Sequence, residues 1–345
     1  MKASVAIIMV GVIGLLATGI IGFAMVPWLR KLKFGQTILD IGPKWHKTKQ
    51  GTPTMGGLMF VFGVCASLIV TVVTDKIMGG DIVASGSIIV TEQYTKLWSG
   101  LLMALCFGLI GFADDYIKVV MHRNLGLTIR QKTVAQLLVA LVYMASMSMG
   151  MGGAPYMFVP FVGMIHMGIF YWVFGVVIIY ASVNAVNFTD GIDGLCSSIT
   201  LTTSVALGVI AALKGLFGFS MAASALAGAC LGFFLWNKNP AKVFMGDTGS
   251  MFLGGMVVAL AYGINCPLIL LPAGIVFVIE GASDVLQIVY YRVSGGKRIF
   301  KMAPIHHHFE MCGWSEKKIV AVFGVVNILG GATAVALMKF GGYFG

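Results

Sequence analysis

The chain alternates long apolar runs with short polar ones. Runs of bilayer length fall at about 4–29, 55–74, 97–117, 133–150, 162–183, 197–213, 217–236, 250–264, 267–291 and 319–340. That makes ten spans, the eighth short and the ninth long. The pattern predicts an all-α, polytopic integral membrane protein, one transmembrane domain over residues 1–345 with no internal repeat. The polar segments are of two kinds. Those after spans 1, 3, 5, 7 and 9 are charged, and those after spans 2, 4, 6 and 8 are weakly charged.

Composition agrees: 58% of the 345 residues are hydrophobic and 10% charged, far from any soluble domain. The net charge of +10 raises nucleic acid as a partner, but the basic residues sit in clusters between spans. All of the 23 lysines and arginines except Lys2, Lys76, Lys96, Lys214 and Lys339 lie in the odd-numbered loops. The positive-inside rule then makes those loops cytoplasmic and puts both termini outside, and no nucleic-acid partner is expected. The first apolar run is too long for a cleavable signal, and its basic cluster follows it. Six scattered cysteines without a CxxC pair read as free thiols.

The acids follow the same asymmetry, and chemistry enters with them. Asn184, Asn187, Asp190 and Asp193 recur every three residues at the end of an uncharged span, with Gly191 and Gly194 each following one of the aspartates. Asp114 and Asp115 end span 3, with Lys118 one turn on. Asp247 follows span 7 in Val-Phe-Met-Gly-Asp-Thr-Gly-Ser. Adjacent carboxylates repel unless a cation or proton intervenes. Magnesium takes hard oxygen ligands, commonly one or two carboxylates plus substrate phosphates. Acids, asparagines and lysines on one face therefore point to a magnesium–phosphate site.

Other features leave alternatives open. Lys49-Gln-Gly-Thr-Pro-Thr-Met-Gly-Gly lacks the order of a P-loop; it is a tight loop into a helix or a cradle for phosphate oxygens. His306, His307 and His308 cannot all point one way, which argues against a three-histidine metal site, though one or two could bond phosphate. Phe244 packs at the membrane interface or stacks on a base. Glu280 and Asp284, inside span 9, form a structural pair or line a groove.

Five motifs together resemble the polyprenyl-phosphate N-acetylhexosamine-1-phosphate transferases: Lys49-x-Gly-Thr-Pro-Thr-Met-Gly-Gly, Gly111-Phe-Ala-Asp-Asp-Tyr, Asn184-x-x-Asn-x-x-Asp-Gly-x-Asp-Gly, Asn237-x-x-Pro-Ala-Lys-Val-Phe-Met-Gly-Asp-Thr-Gly-Ser and Ala303-Pro-Ile-His-His-His-Phe-Glu. The last is similar to the branch that handles the muramoyl-pentapeptide sugar. The resemblance implies a magnesium-dependent enzyme of the bacterial inner membrane, active on the cytoplasmic face and homodimeric. It would transfer phospho-MurNAc-pentapeptide from UDP-MurNAc-pentapeptide to undecaprenyl phosphate, giving lipid I and UMP for peptidoglycan synthesis. Carried onto this chain, it assigns Asp114, Asp115, Asp247 and His307 to catalysis and Asp247 with Asn187 to the metal. Lys49, Lys118 and Lys132 would meet substrate with Asn184, Asn187, Asp190, Asp193, Asn237 and Phe244, and His306 and His308 would complete the site.

Two mechanisms are compatible with these residues: direct attack by the lipid phosphate, or a phospho-aspartyl intermediate. A phosphate monoester with its second pKa near ~6 is mostly dianionic at neutral pH and barely needs a base, which favours direct attack. A GlcNAc-1-phosphate transferase is the alternative within the same chemistry. A transporter would place charges near mid-span and use inverted repeats, and this chain does neither.

Overall fold

The computed structural model describes residues 1–32, 49, 51–84, 90–119, 121, 126–153 and 155–344. Lys33, Lys44, Lys47 and Arg123, four of the basic residues behind the expected orientation, lie outside the described residues. The elements are α1 (Ala3–Lys31), α2 (Leu58–Ile77), α3 (Val90–Val119), α4 (Ile129–Gly150), a hairpin of β1 (Tyr156–Val159) and β2 (Gly163–His166), α5 (Phe170–Phe188), α6 (Leu195–Leu213), α7 (Phe217–Asn237), α8 (Gly246–Gly263), α9 (Leu270–Ala273) after a 3-10 turn, α10 (Ile275–Val293), α11 (Ile305–Met311) and α12 (Glu316–Phe340).

Among the described residues, eight helices are long and apolar enough to cross a membrane, and α9 with α10 forms a ninth span bent by 90°. The remaining expected span is α8, which starts earlier than its apolar run because Gly246 and Asp247 belong to its first turn. Every residue from Thr248 to Gly263 is buried, so α8 is walled by protein. The outer helices show the complementary pattern. In α1, Ala6, Val10, Gly14, Thr18, Gly22 and Val26 are buried at every fourth position, while Ile8, Leu16, Ile20 and Phe23 are exposed. One stripe packs inward and an apolar stripe faces lipid.

Small residues set how closely the helices approach. A Cβ on Gly228 of α7 would fall 2.0 Å from the Gly11 carbonyl of α1. A Cβ on Gly255 of α8 would fall 2.7 Å from Ala104 Cα in α3, and one on Gly254 2.9 Å from Val183 Cα in α5. Only glycine lets α8 lie against both neighbours at once.

Two expectations are corrected. The run at 162–183 is not a single span: an antiparallel hairpin pairs Tyr156 with His166 and Val159 with Gly163. Gly163 and Gly168, at φ +98° and +51°, break the run before α5 begins. The hairpin is tied to the end of α8 and to the C-terminal segment, where Phe158 N–H donates to the Asn265 carbonyl (2.7 Å) and Phe161 N–H to that of Gly341 (3.1 Å). The long ninth span is broken at Gly274. Asn327 of α12, fully buried, bridges the break: its Oδ1 accepts from Val276 N–H (3.3 Å), and its Nδ2 donates to the Ala273 carbonyl (3.3 Å) and to the hydroxyls of Thr202 (2.8 Å) and Thr203 (3.0 Å). A break at membrane depth is tolerated only when protein groups take over the freed backbone bonds.

The two ends of the bundle differ. Beside the hairpin, Lys96 is fully buried and bonded to Glu92 and Asn265, Lys76 pairs with Asp81 at 2.7 Å and Lys214 donates to the Tyr343 carbonyl at 2.5 Å. Along α3, Lys96 and Asp114 are separated by about 27 Å at 1.5 Å per residue, close to the thickness of a bilayer core. These three lysines are thus internally satisfied, and the acid pair lies at the opposite face. All six cysteines are free thiols.

Asn327→Leu will leave the Val276 N–H without its partner at the break, while the Ala273 carbonyl keeps the Thr203 hydroxyl (3.1 Å). With about 1–3 kcal/mol per orphaned buried group, the variant should unfold several degrees below wild type in detergent. Gly324→Leu on the same helix, where a Cβ meets nothing within 4 Å, should unfold with wild type.

Candidate active site

The site is built where the last turns of α3 meet the first turn of α8. Gly111 makes the meeting possible, since a Cβ there would fall 2.1 Å from the Asp247 carbonyl oxygen. Gly246, at φ +70°, turns the chain into α8. The Asp115 carboxylate then accepts from Asp247 N–H (3.1 Å), Thr248 N–H (2.9 Å) and the Thr248 hydroxyl (2.6 Å). It satisfies donors that a helix N-terminus leaves open, and the helix dipole favours its charge.

Asp114, Asp115 and Asp247 bring carboxylate oxygens within 4.8 Å of one another. Asp247 accepts from Lys132 Nζ of α4 (2.8 Å), from Lys118 Nζ (3.2 Å) and, through its other oxygen, from Asn187 Nδ2 of α5 (3.0 Å). Asn187 also donates to the Ser250 hydroxyl at 2.7 Å. Asp114 is buried; its Oδ1 accepts from Leu127 N–H (2.8 Å) and its Oδ2 pairs with the Lys118 ammonium. At the edge of the cluster, burial, then the charges of Asp247, Asp115 and Asp193, push the Asp190 carboxyl well above its ordinary range.

A hard divalent cation fits this donor set. Three carboxylates converge, and their oxygens lie within 4.8 Å of one another. Asp115 is largely consumed in capping α8, so Asp114 and Asp247 are the better-placed ligands. Asn187 touches Asp247 as expected, but with its amide nitrogen toward it; its oxygen lies on the other side of the same group.

The other expected residues form a tier around this cluster. Lys49 is held between Asp193 (2.7 Å) and Glu316 (2.6 Å), its charge committed to two carboxylates. Asp193 also accepts from Asn239 Nδ2 (3.2 Å) and Ala241 N–H (2.9 Å). Asn237 is buried, with Oδ1 accepting from Gly194 N–H and Nδ2 donating to the Val243 carbonyl, both at 2.9 Å. Phe244 fixes the glycine-rich loop by backbone: its N–H donates to Pro53, and its carbonyl accepts from Gly56. Asn184 pairs with Gln136 of α4 at 2.9 Å and stays out of the acid cluster's hydrogen bonds.

The three histidines diverge. His306 is fully buried, with Nδ1 3.0 Å from Glu280 Oε2. The His307 Nδ1 lies 2.6 Å from Glu310 Oε2, and its side chain stays partly exposed. His308 Nδ1 accepts from Lys301 N–H at 3.1 Å and braces the loop before α11. Sequence reasoning missed Thr248, Ser250, Asn239 and Glu316. The first two flank Asp247 in its motif, and Glu316 follows Ser315, which caps α12 through Lys318 N–H.

The fold is that of an integral membrane protein, and residues 97–265, which hold all three carboxylates, match the model of glycosyl transferase family 4. Residues 49–61 match the phospho-N-acetylmuramoyl-pentapeptide-transferase signature 1. The chain is 41% identical to the phospho-N-acetylmuramoyl-pentapeptide-transferase of Listeria monocytogenes serotype 4b over 91% of this chain and 93% of that protein. Likewise it is 41% identical to that of Desulfitobacterium hafniense (95% and 96% covered) and 40% to that of Bacillus thuringiensis (92% and 95%). The chain belongs to the phospho-N-acetylmuramoyl-pentapeptide-transferase family.

Asp115→Ala should be the least stable of the three carboxylate variants. It strands three donors at the start of a buried helix, at about 1–3 kcal/mol for each group left without a partner. Thermal unfolding in detergent should rank Asp115→Ala clearly below Asp247→Ala and Asp114→Ala; equal midpoints would remove the capping role.

Proposed function

We propose that this chain transfers phospho-MurNAc-pentapeptide from UDP-MurNAc-pentapeptide to undecaprenyl phosphate, forming lipid I and releasing UMP. The observation that carries this reading is the convergence of Asp114, Asp115 and Asp247 within 4.8 Å, beside two lysines, at one end of an apolar bundle. A lipid phosphate at the bilayer face and a water-soluble nucleotide meet at such an end and nowhere else. The loop charges support a cytoplasmic location of that end in a bacterial inner membrane. The resemblance supports a homodimer.

An oxygen of the lipid phosphate attacks the sugar-bearing phosphorus of the donor, one phosphoanhydride forms as another breaks, and UMP leaves; this exchange needs positioning and charge neutralisation more than covalent help from the protein. Lys118 and Lys132 supply two positive charges beside Asp247 for the donor's diphosphate. Asp114, paired with Lys118, orients the acceptor phosphate, and Asp115 keeps the α8 terminus in register with it. Asn187 holds Asp247 from the opposite side. Magnesium, held by Asp247 and Asp114, would neutralise phosphate charge when bound. The acceptor is mostly dianionic at neutral pH, with a second pKa near ~6, so direct attack requires no strong base.

The loop from Arg292 to Lys318 favours the peptide-bearing donor over UDP-GlcNAc. It is long enough to wall a vestibule, and Lys297, Arg298 and Lys301 lie in it for an acidic peptide or for anionic headgroups.

Purified protein with magnesium and undecaprenyl phosphate should yield lipid product and UMP from the muramoyl donor and negligible amounts from UDP-GlcNAc. The reverse preference would move the chain to a GlcNAc-1-phosphate transferase. Asp247→Asn keeps shape but loses charge, and its turnover should fall below about a hundredth of wild type, the scale of losing one preorganised electrostatic contact.

Orientation is tested by labelling. In a Cys312→Ser background, which removes the exposed native thiol, Arg298→Cys should react with an impermeant maleimide only in inverted vesicles. Val162→Cys in the hairpin should react in intact cells. Exchange of the two patterns would invert the topology.

A further inference from the structure

Glu280 lies in α10, one turn and a half beyond the break at Gly274, and is fully buried. One carboxylate oxygen lies 3.0 Å from His306 Nδ1, and the other has no partner among the described residues. His306 is also fully buried, and its Nε2 likewise lacks a partner among the described residues. One turn along α10, the Ser283 hydroxyl accepts from Ile305 N–H at 3.0 Å, so α10 grips the first turn of α11 twice.

The far edge of the His306 ring rests on Gly191. A Cβ at that position would fall 2.1 Å from Nε2 and 2.7 Å from Cε1. Gly191 joins Asp190, at the edge of the acid cluster, to Ile192 and Asp193. The other neighbour of the ring is His307, 4.1 Å away between ring centroids. The chain of contacts therefore runs from the membrane interior through Glu280 and His306 to the Asp190 turn and to His307.

Stability does not account for such a pair. A buried carboxylate and imidazole are costly to desolvate, and apolar residues of similar volume are often equally or more stable. What the pair supplies is orientation. A carboxylate on Nδ1 fixes which nitrogen carries the proton there and holds the ring plane, while Gly191 leaves room for the ring edge and nothing more.

We propose that Glu280 is a positioning residue for the transfer. Through His306 it wedges the Asp190–Gly194 turn and seats His307, so that both stay in place beside the substrates. This inference rests on the function proposed above.

The test measures steady-state rates for Glu280→Leu, Glu280→Gln and Gly191→Ala with the muramoyl donor. Gln keeps an acceptor for Nδ1–H and loses the charge; Leu keeps neither; the alanine pushes the ring from its other edge. Glu280→Leu and Gly191→Ala should each lower kcat at least about tenfold, the cost of a small misplacement. KM for both substrates should stay within about twofold, and Gln should restore kcat to within about threefold of wild type. A wild-type kcat in Glu280→Leu would overturn the proposal, as would equal losses in the Gln and Leu variants, or a rise in KM without a fall in kcat. Should Glu280→Leu fail to fold, Gly191→Ala and Glu280→Gln decide alone: a wild-type kcat in the first or a full loss in the second overturns it. Inactive wild-type protein would instead overturn the functional reading, a result separate from any ranking among variants.

Discussion

Three hydrogen bonds to one carboxylate hold the centre of this protein together. Asp115 accepts from the first turn of α8, and through that contact two helices from distant parts of the sequence share one end. The arrangement places Asp247 against Asp114 and Asp115 in partly desolvated surroundings. Two like charges ~4 Å apart repel by about 4 kcal/mol at an effective dielectric near 20. The N-terminus of α8, Lys118 and Lys132 offset that repulsion. The site is thus an anionic cluster stabilised by cations already in place, and those cations are the groups that can turn toward phosphate when the carboxylates find another counter-charge.

Much of this was legible in the chain. Spans of about twenty apolar residues announce membrane helices, because no other structure satisfies its backbone in lipid. The carboxylates were legible from Gly111-Phe-Ala-Asp-Asp and Met-Gly-Asp-Thr-Gly-Ser, since acids flanked by glycine at the end of a span demand a counter-charge or a ligand. Their relative roles were not. That Asp115 caps a helix, and so differs from its neighbour Asp114, depends on a contact across 133 residues. The same holds for Lys49, which the sequence offers to phosphate and the fold places between Asp193 and Glu316. The hairpin and the bend at Gly274 hid inside apolar runs, because hydropathy does not distinguish a buried turn from a helix. Glu280 stood out as an acid inside a span, but its partner is 26 residues away.

The consecutive histidines divide their labour by helix geometry. Successive positions on α11 point about 100° apart. One therefore faces the interior and Glu280, the next turns toward Glu310 and partial exposure, and the third braces the preceding loop. A single motif supplies a wedge, a partly exposed ring and a loop anchor, because no two of its members share a direction.

The junction at Asn327 has a mechanical meaning. An unbroken helix bends only by straining its own ladder of backbone bonds. Here the ladder is interrupted, and a side chain on a neighbouring helix carries the connection, so the 90° bend leaves both helical segments intact. The wedge of Glu280 and His306 rides on the segment beyond this bend, whereas the three carboxylates ride on α3 and α8. The interruption in the span thus lies between the bundle that holds the charges and the segment that carries the wedge.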